Sequence, residues 1–542
     1  MKKYFILIIT LFTAAFANAQ SDSLSNEDID VVKEFKPLLA DILKIPSNPN
    51  PEVPEINPPK LEYSLPALQL MPNPTVYTIK PLAMGTSVLP KLKTNYFRIG
   101  YGNYNTPIFE TYLTTVRNKN AQAGIYFKHF SASPSNNPNR SFSDNALKLW
   151  GKRFIGKGMV STDVAYNRNV IHYYGFQPQS LDLKKSNLRR QYSSLDLGAG
   201  YSNVTKDTAG LRYDIGVRFY NFIDNNKTTE NDIKVNANFN KRLNGNLIQV
   251  FTEVENNQTK NSNNNLDYNR VFIRFNPTYT LNFNQRGYVR FGFNTTLFAD
   301  SNETKFFPYL NAEAAYFIIP KALTIFGGVT GNYHATTYRG LAAENQFISN
   351  WGLYNQNNKV QLFAGLRGEI SAQTGFVIEA SRSSIQNQLF YGFDSSSYGM
   401  VTLFDTTTQW LTQIRAELNH EFGERFHFQF VMHYFGYQTE FNKAYNRPTL
   451  TTRTSLMYNM SDKFIIRGDI YSLNQRYGID LPSGKEIKLG GLADVNIGID
   501  YRYNKNTGLF LNINNLTNNQ YQRWNNYQTF GLNILAGLSI TF

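Results

Sequence analysis

The sequence predicts an all-β fold: a transmembrane antiparallel β-barrel of about 22 strands, within a range of about 16 to 22, behind a proline-rich segment. Three observations carry this. The chain closes on a strongly alternating strand with an aromatic last residue, Phe542. The same period of two returns throughout the chain from Thr94 onward. No apolar run past the N-terminus reaches the ~20 residues that a membrane-spanning helix needs.

From the N-terminus, Met1-Lys2-Lys3, the apolar run Tyr4 to Phe16 and Ala17-Asn18-Ala19 have the order of a secretory signal peptide over residues 1–19, with cleavage expected before Gln20. The chain has no cysteine, which excludes disulfides, thiolate metal sites and a lipid-modified N-terminal Cys. An exported barrel of this kind belongs in the outer membrane of a Gram-negative bacterium, against phospholipid and lipopolysaccharide, with no role for nucleic acid.

Residues 20–93 differ in kind from the rest of the chain. Twelve of the 21 prolines lie between Pro37 and Pro90. Proline donates no backbone hydrogen bond, so most of this segment is expected to be extended and periplasmic or lumenal. One short helix is predicted over Lys36 to Ile45, with Leu38, Leu39, Ile42 and Leu43 on one face as a candidate docking patch.

Residues 94–542 read as the barrel. Leu211, Tyr213, Ile215, Val217 and Phe219 alternate with Arg212, Asp214, Gly216, Arg218 and Tyr220. Similar rows run through Ile233 to Asn240, Val289 to Asn294 and Ala493 to Arg502. A period of two gives each strand one face for lipid and one for a wet interior. In the closing stretch, Phe530, Leu532, Ile534, Ala536, Leu538, Ile540 and Phe542 share one face, and Leu535 alone breaks the polar one. Phe542 is expected to close the barrel and to act as an assembly signal, since an open strand edge is not tolerated in lipid.

Short turns are predicted at Asn118 to Asn120, Gly156 to Gly158, Asn244-Gly245, Gln373 to Gly375, Gly423 to Arg425, Ser461-Asp462 and Asn504 to Gly508. Longer polar loops are predicted at Ser131 to Asn145, Arg168 to Arg190, Asn256 to Asp267, Ala335 to Lys359, Ser384 to Asp405 and Gln475 to Leu489. Short turns on one rim and long loops on the other match periplasmic and extracellular sides.

The inferred interior carries Arg212, Arg218, Lys234, Arg274, Arg290, Arg415, Arg467 and Arg502, with Asp214, Glu417, Asp469, Asp494 and Asp500 facing them. These are the candidate lumen-lining residues. They suit a wall network that braces the barrel, since buried charges must be paired, or a path for polar and anionic solutes. The formal charge is +14, or +12 without Lys2 and Lys3. Such an excess suits anionic headgroups or solutes, although scattered solvated lysines explain it more simply. No enzyme signature, phosphate-binding loop or metal-ligand motif is present, and no cofactor is expected. The histidines, among them His420, His427 and His433, read as hydrogen-bonded interior residues rather than metal ligands.

The run Gly508 to Trp524 resembles the end of TonB-dependent receptor barrels. There an N-L-x-N-x-x-Y corner joins the last two strands, matched here by Asn515, Leu516, Asn518 and Tyr521. Glu27 to Lys33 is loosely similar to a TonB box, which makes Asp28, Ile29, Asp30, Val31 and Val32 candidate contacts for TonB or another periplasmic or outer-membrane protein. The family's plug domain would need on the order of 130 residues, and about 70 proline-rich ones cannot form it. The resemblance therefore implies a plugless relative. Two functions are expected from it: outer-membrane transport of polar or anionic solutes, or a non-catalytic barrel subunit of an assembly, export or surface-lipoprotein complex.

Overall fold

The computed structural model describes residues 95–542, apart from 116–117, 136, 177–182, 204–209, 264, 284–285 and 424. The signal peptide, the proline-rich segment, the Lys36 to Ile45 helix with its docking patch and the TonB-box-like stretch lie outside the described residues.

Twenty-five strands form one hydrogen-bonded sheet. Three are short and stand off the wall: Ile348–Asn350 and the hairpin Arg476–Asp480 with Lys485–Leu489. The other 22 form a closed antiparallel ring. The seam joins Asn95–Gly102 to Asn533–Thr541, with Phe97 opposite Ile540 and Gly100 opposite Gly537. Because the first wall strand pairs with the last, the ring has no terminal edge strand among the described residues.

The outward face is continuous across strands because the register aligns it. Val217 is opposite Val235, Val235 opposite Val254, Val254 opposite Ile273, Ile273 opposite Leu297, and Leu297 opposite Phe306. All six side chains are exposed, at 37% to 60%. A soluble protein rarely presents a contiguous apolar surface of this extent, whereas a barrel in lipid requires one. β-Branched and aromatic residues suit this pleated face, and the turns are equally explicit. Asn244 and Gly245 both adopt positive φ, +50° and +83°, between Leu243 and Asn246, as a two-residue hairpin turn demands.

The polar loops expected at Asn256 to Asp267 and Ser384 to Asp405 are instead largely strand. The strand Asn246–Asn261 runs on, with Asn257 and Thr259 fully buried. Thr259 donates to Glu230 at 2.9 Å, and Asn257 donates to Asp232 at 3.1 Å. Side chains that satisfy one another can be buried, so polarity there did not mark exposure to water. Likewise Thr374–Asp394 and Gly399–Phe422 extend through the second stretch, leaving a tip at 395–398. The Gln475 to Leu489 loop folds mostly as the short hairpin. The closing strand begins at Asn533, so Phe530 to Leu532 belong to the preceding loop. Leu535, the break in the alternation, is buried against Ile108 and Phe510.

Candidate transport lumen and its closure

Seen in the ring, the face opposite the apolar belt is a wall of charge. Arg274 reaches both Glu253 and Glu255, the latter at 2.6 Å, and Lys234 also meets Glu255 at 3.0 Å. Arg290 pairs with Glu313, and Arg367 approaches the same carboxylate at 3.7 Å. Arg415 pairs with Glu417 on its own strand, Arg467 with Asp500 at 2.6 Å, and Arg453 with Asp469 at 3.4 Å. Asp494 accepts the hydroxyl of Tyr521 at 2.8 Å. Arg212, Asp214 and Arg218 alternate with the exposed Ile215 and Val217 and are themselves solvated. Arg502 lies at the rim of short turns, 3.5 Å from the Asp462 carbonyl.

The other rim is spanned by the chain itself. Between the strands Leu323–His334 and Gln356–Ser371, the connection folds into the ring and carries the helix Tyr338–Glu344. Thr337 caps that helix by accepting the Gly340 amide at 3.0 Å. Tyr338 is fully buried. Its hydroxyl donates to Asp224, and its amide donates to Glu230 at 2.6 Å. Arg190 holds Asp224 at 2.9 Å, and Arg339 pairs with Asp196. Arg270 donates to the Thr336 carbonyl at 2.8 Å, and Tyr192 to that of Gln346 at 2.8 Å. Burial lifts the Tyr338 phenol well above its ordinary pKa, so it stays a neutral donor at physiological pH.

The same connection is also fastened on the far side. Glu344 accepts Tyr391 at 2.9 Å and pairs with Arg447. Phe347 stacks on Tyr527 with centroids 3.8 Å apart. Ile348 runs parallel beside Met400. Tyr338, Phe347, Ile348, Trp351, Tyr391, Phe393, Met400, Trp524 and Tyr527 thus share one buried cluster. Most of a barrel's apolar surface faces outward, so this inner cluster is an apolar core built across one mouth.

Of the interior residues singled out in the sequence, Lys234, Arg274, Arg290, Arg415, Glu417, Arg467, Asp469 and Asp500 meet charged partners, while Arg212, Asp214, Arg218, Asp494 and Arg502 are not in those pairs. Glu253, Glu255 and Glu313 escaped notice although their alternation was legible. Arg190, Asp224, Glu230 and Tyr338 carried no local signal, because Tyr338 meets the other three from a connection more than 100 positions away in the chain. Among the described residues no group of three or more His, Asp or Glu is placed to hold a metal ion. His420 bonds Thr374 at 2.7 Å, and His427 lies 3.5 Å from Glu421.

The Asn-Leu-Thr-Asn corner has a physical basis. Asn515 and Asn518 both take positive φ, +50° and +53°, which asparagine tolerates better than most residues. The buried Asn515 amide donates to the carbonyls of Asn519 and Phe530, each at 2.9 Å. Asn518 accepts the Leu532 amide at 2.8 Å, tying the loop's start to its end.

No family model and no curated protein matches the sequence. Solved structures do match the fold. The chain is similar to the ferric-catecholate import receptor Fiu from Escherichia coli K12, with TM-score 0.64, 9% identity, and 83% of this chain and 82% of that one covered. It is similar to the siderophore receptor PirA from Acinetobacter baumannii, with TM-score 0.64, 10% identity, and 84% and 81% covered. It is also similar to the FrpB iron transporter from Neisseria meningitidis, with TM-score 0.64, 10% identity, and 84% and 82% covered. At such identities the likeness is one of fold: a closed 22-strand barrel of the architecture those receptors use.

Proposed function

We propose that this protein is an outer-membrane transport barrel that passes polar or anionic solutes, with its outer mouth held shut by the connection 335–355. The observation that carries the reading is the charged inner wall ending at a mouth sealed by the chain's own apolar cluster. A wide ring needs such a seal, because an open pore of this width would breach the envelope. Two of the fold's neighbours are named as an import receptor and an iron transporter, which supports transport over catalysis. The long-loop rim is outward and the short-turn rim periplasmic. In this reading the proline-rich segment is a tether in place of a plug domain. Asp28 to Val32 reach TonB or another periplasmic protein, and Leu38, Leu39, Ile42 and Leu43 dock on a partner.

Planar-bilayer recording of the purified protein tests this. The intact chain should be nearly closed, and a chain with 338–351 replaced by a short glycine-serine link should conduct in large steps. Equal conductance would remove the seal from the mechanism. A complex subunit is the second reading, favoured by the unusually long hairpin Thr374–Asp394 and Gly399–Phe422. Stable co-purification of partners with an unchanged, silent barrel would support it.

A further inference from the structure

The rim of short turns, where the chain begins and ends its ring, is charged in a way that the transport reading does not use. In the strand Phe142–Ile155 the outward row passes through Leu147 and then places Arg153 before Ile155, which is 57% exposed. In the strand Thr228–Leu243 the outward row Ile233, Val235 continues to Lys241 and ends on the exposed Leu243. Two neighbouring turns repeat the pairing: exposed Phe283 with Arg286, and exposed Ile319 with Lys321. All four cations are exposed, and none joins an ion pair among the described residues. Residues 152–158, 241–246, 282–287 and 318–323 contain no aspartate or glutamate. The opposite ends of these strands do carry acids, among them Asp224, Asp267, Asp300 and Glu303.

A cation in an outward apolar row is costly at mid-membrane and nearly free at the headgroups. Its aliphatic stem can lie along the apolar belt while the charge reaches the phosphate layer. An exposed apolar residue lies within three positions of each cation and holds it near the edge of the apolar belt, and these four cations make a local positive field at the rim. We propose that this sector of the rim binds anionic phospholipid headgroups of the periplasmic leaflet, an inference that rests on the outer-membrane orientation given above.

The full chain in nanodiscs of phosphatidylcholine with phosphatidylglycerol tests it, with co-purifying lipid counted by mass spectrometry. Wild type should retain phosphatidylglycerol well above its share of the disc. Neutralising Arg153→Gln, Lys241→Gln, Arg286→Gln and Lys321→Gln together should abolish the enrichment, at about fivefold per cation. It should also collapse in 1 M salt, where the Debye length is about 3 Å. The charge-keeping exchange Arg153→Lys with Lys241→Arg should preserve it, and Lys227→Gln with Lys305→Gln at the opposite ends should leave it unchanged. If the fourfold variant does not fold, the single changes Arg153→Gln and Lys241→Gln carry the test. Equal enrichment in wild type and neutralised protein overturns the proposal, as does loss of an acidic protein partner without any change in lipid. Orientation is read separately. Lys157→Cys, the sole thiol, should resist an impermeant maleimide in intact cells, and its labelling would overturn the orientation while leaving the lipid result intact.

Discussion

Tyr338 and Asp224 meet at the barrel mouth, the phenol of one donating a hydrogen bond to the carboxylate of the other. Asp224 ends the strand Arg212–Asp224 and also holds Arg190, so the inserted helix is tied to the wall by a group already committed to an ion pair. Tyr338→Ala removes a fully buried ring together with this bond, and should cost about 3–5 kcal/mol of local stability. Conductance in bilayers and cell sensitivity to bulky antibiotics should rise. Tyr338→Phe keeps the ring and should cost only about 1–3 kcal/mol, with the mouth remaining mostly shut. If the alanine variant conducts like wild type, this tie does not hold the seal.

Arg274 stands between Glu253 and Glu255, and the second of these is almost fully buried. Arg274→Leu leaves the buried Glu255 carboxylate with Lys234 as its one remaining ion-pair partner among the described residues, and should cost about 3–5 kcal/mol. The heat-modifiability midpoint on gels should fall. The double change Arg274→Leu with Glu255→Leu should recover much of the loss, because the uncompensated charge goes with its partner.

Ile497 alternates with Asn496 on the strand Leu492–Arg502, where Asp494 and Asp500 share the asparagine's face. Ile497→Arg puts a charge into the apolar belt and should cost about 2–4 kcal/mol, with poor insertion into vesicles. Asn496→Arg should be far milder. Equal insertion yields would reverse the assigned faces.

The last residue closes the seam twice over. Asn95 and Phe542 exchange backbone hydrogen bonds at 3.0 and 3.1 Å, and the Phe542 ring stacks on Phe97 at 5.9 Å. Deleting Phe542 should leave degraded or periplasmic protein in cells. Wild-type amounts of folded barrel in the outer membrane would contradict this.

Asn515 combines a positive φ with bonds to both ends of its loop. Asn515→Gly keeps the backbone freedom and loses the amide, whereas Asn515→Ala loses both and should be the worse by about 1 kcal/mol. Thermal midpoints of the two variants in detergent would rank them. An alanine variant as stable as the glycine one would remove backbone strain from the account.

The ring was legible because its signal is local: Ile215, Val217, Ile233 and Val235 declare their face in each strand separately. The inner pairs were half legible, since Arg274 shows its side by alternation but does not reveal that Glu253 and Glu255 lie opposite. The seal was hardest to read. Ala335 to Lys359 looks like any polar loop, and Tyr338 finds Arg190, Asp224 and Glu230 only after the ring has brought them round. Asn257 and Thr259 misled in the other sense, since their partners make burial tolerable for a sequence that looks like solvent-exposed tip.

The seam also fixes when the wall becomes a wall. Asn103 and Leu532 bond at 2.8 Å across 429 positions of chain, and Asn95 meets Phe542 across still more. Contacts that distant are the slowest kind to find. Until they form, the nascent sheet has two bare edges that any other strand can occupy, so its most vulnerable moment is the one just before it shuts.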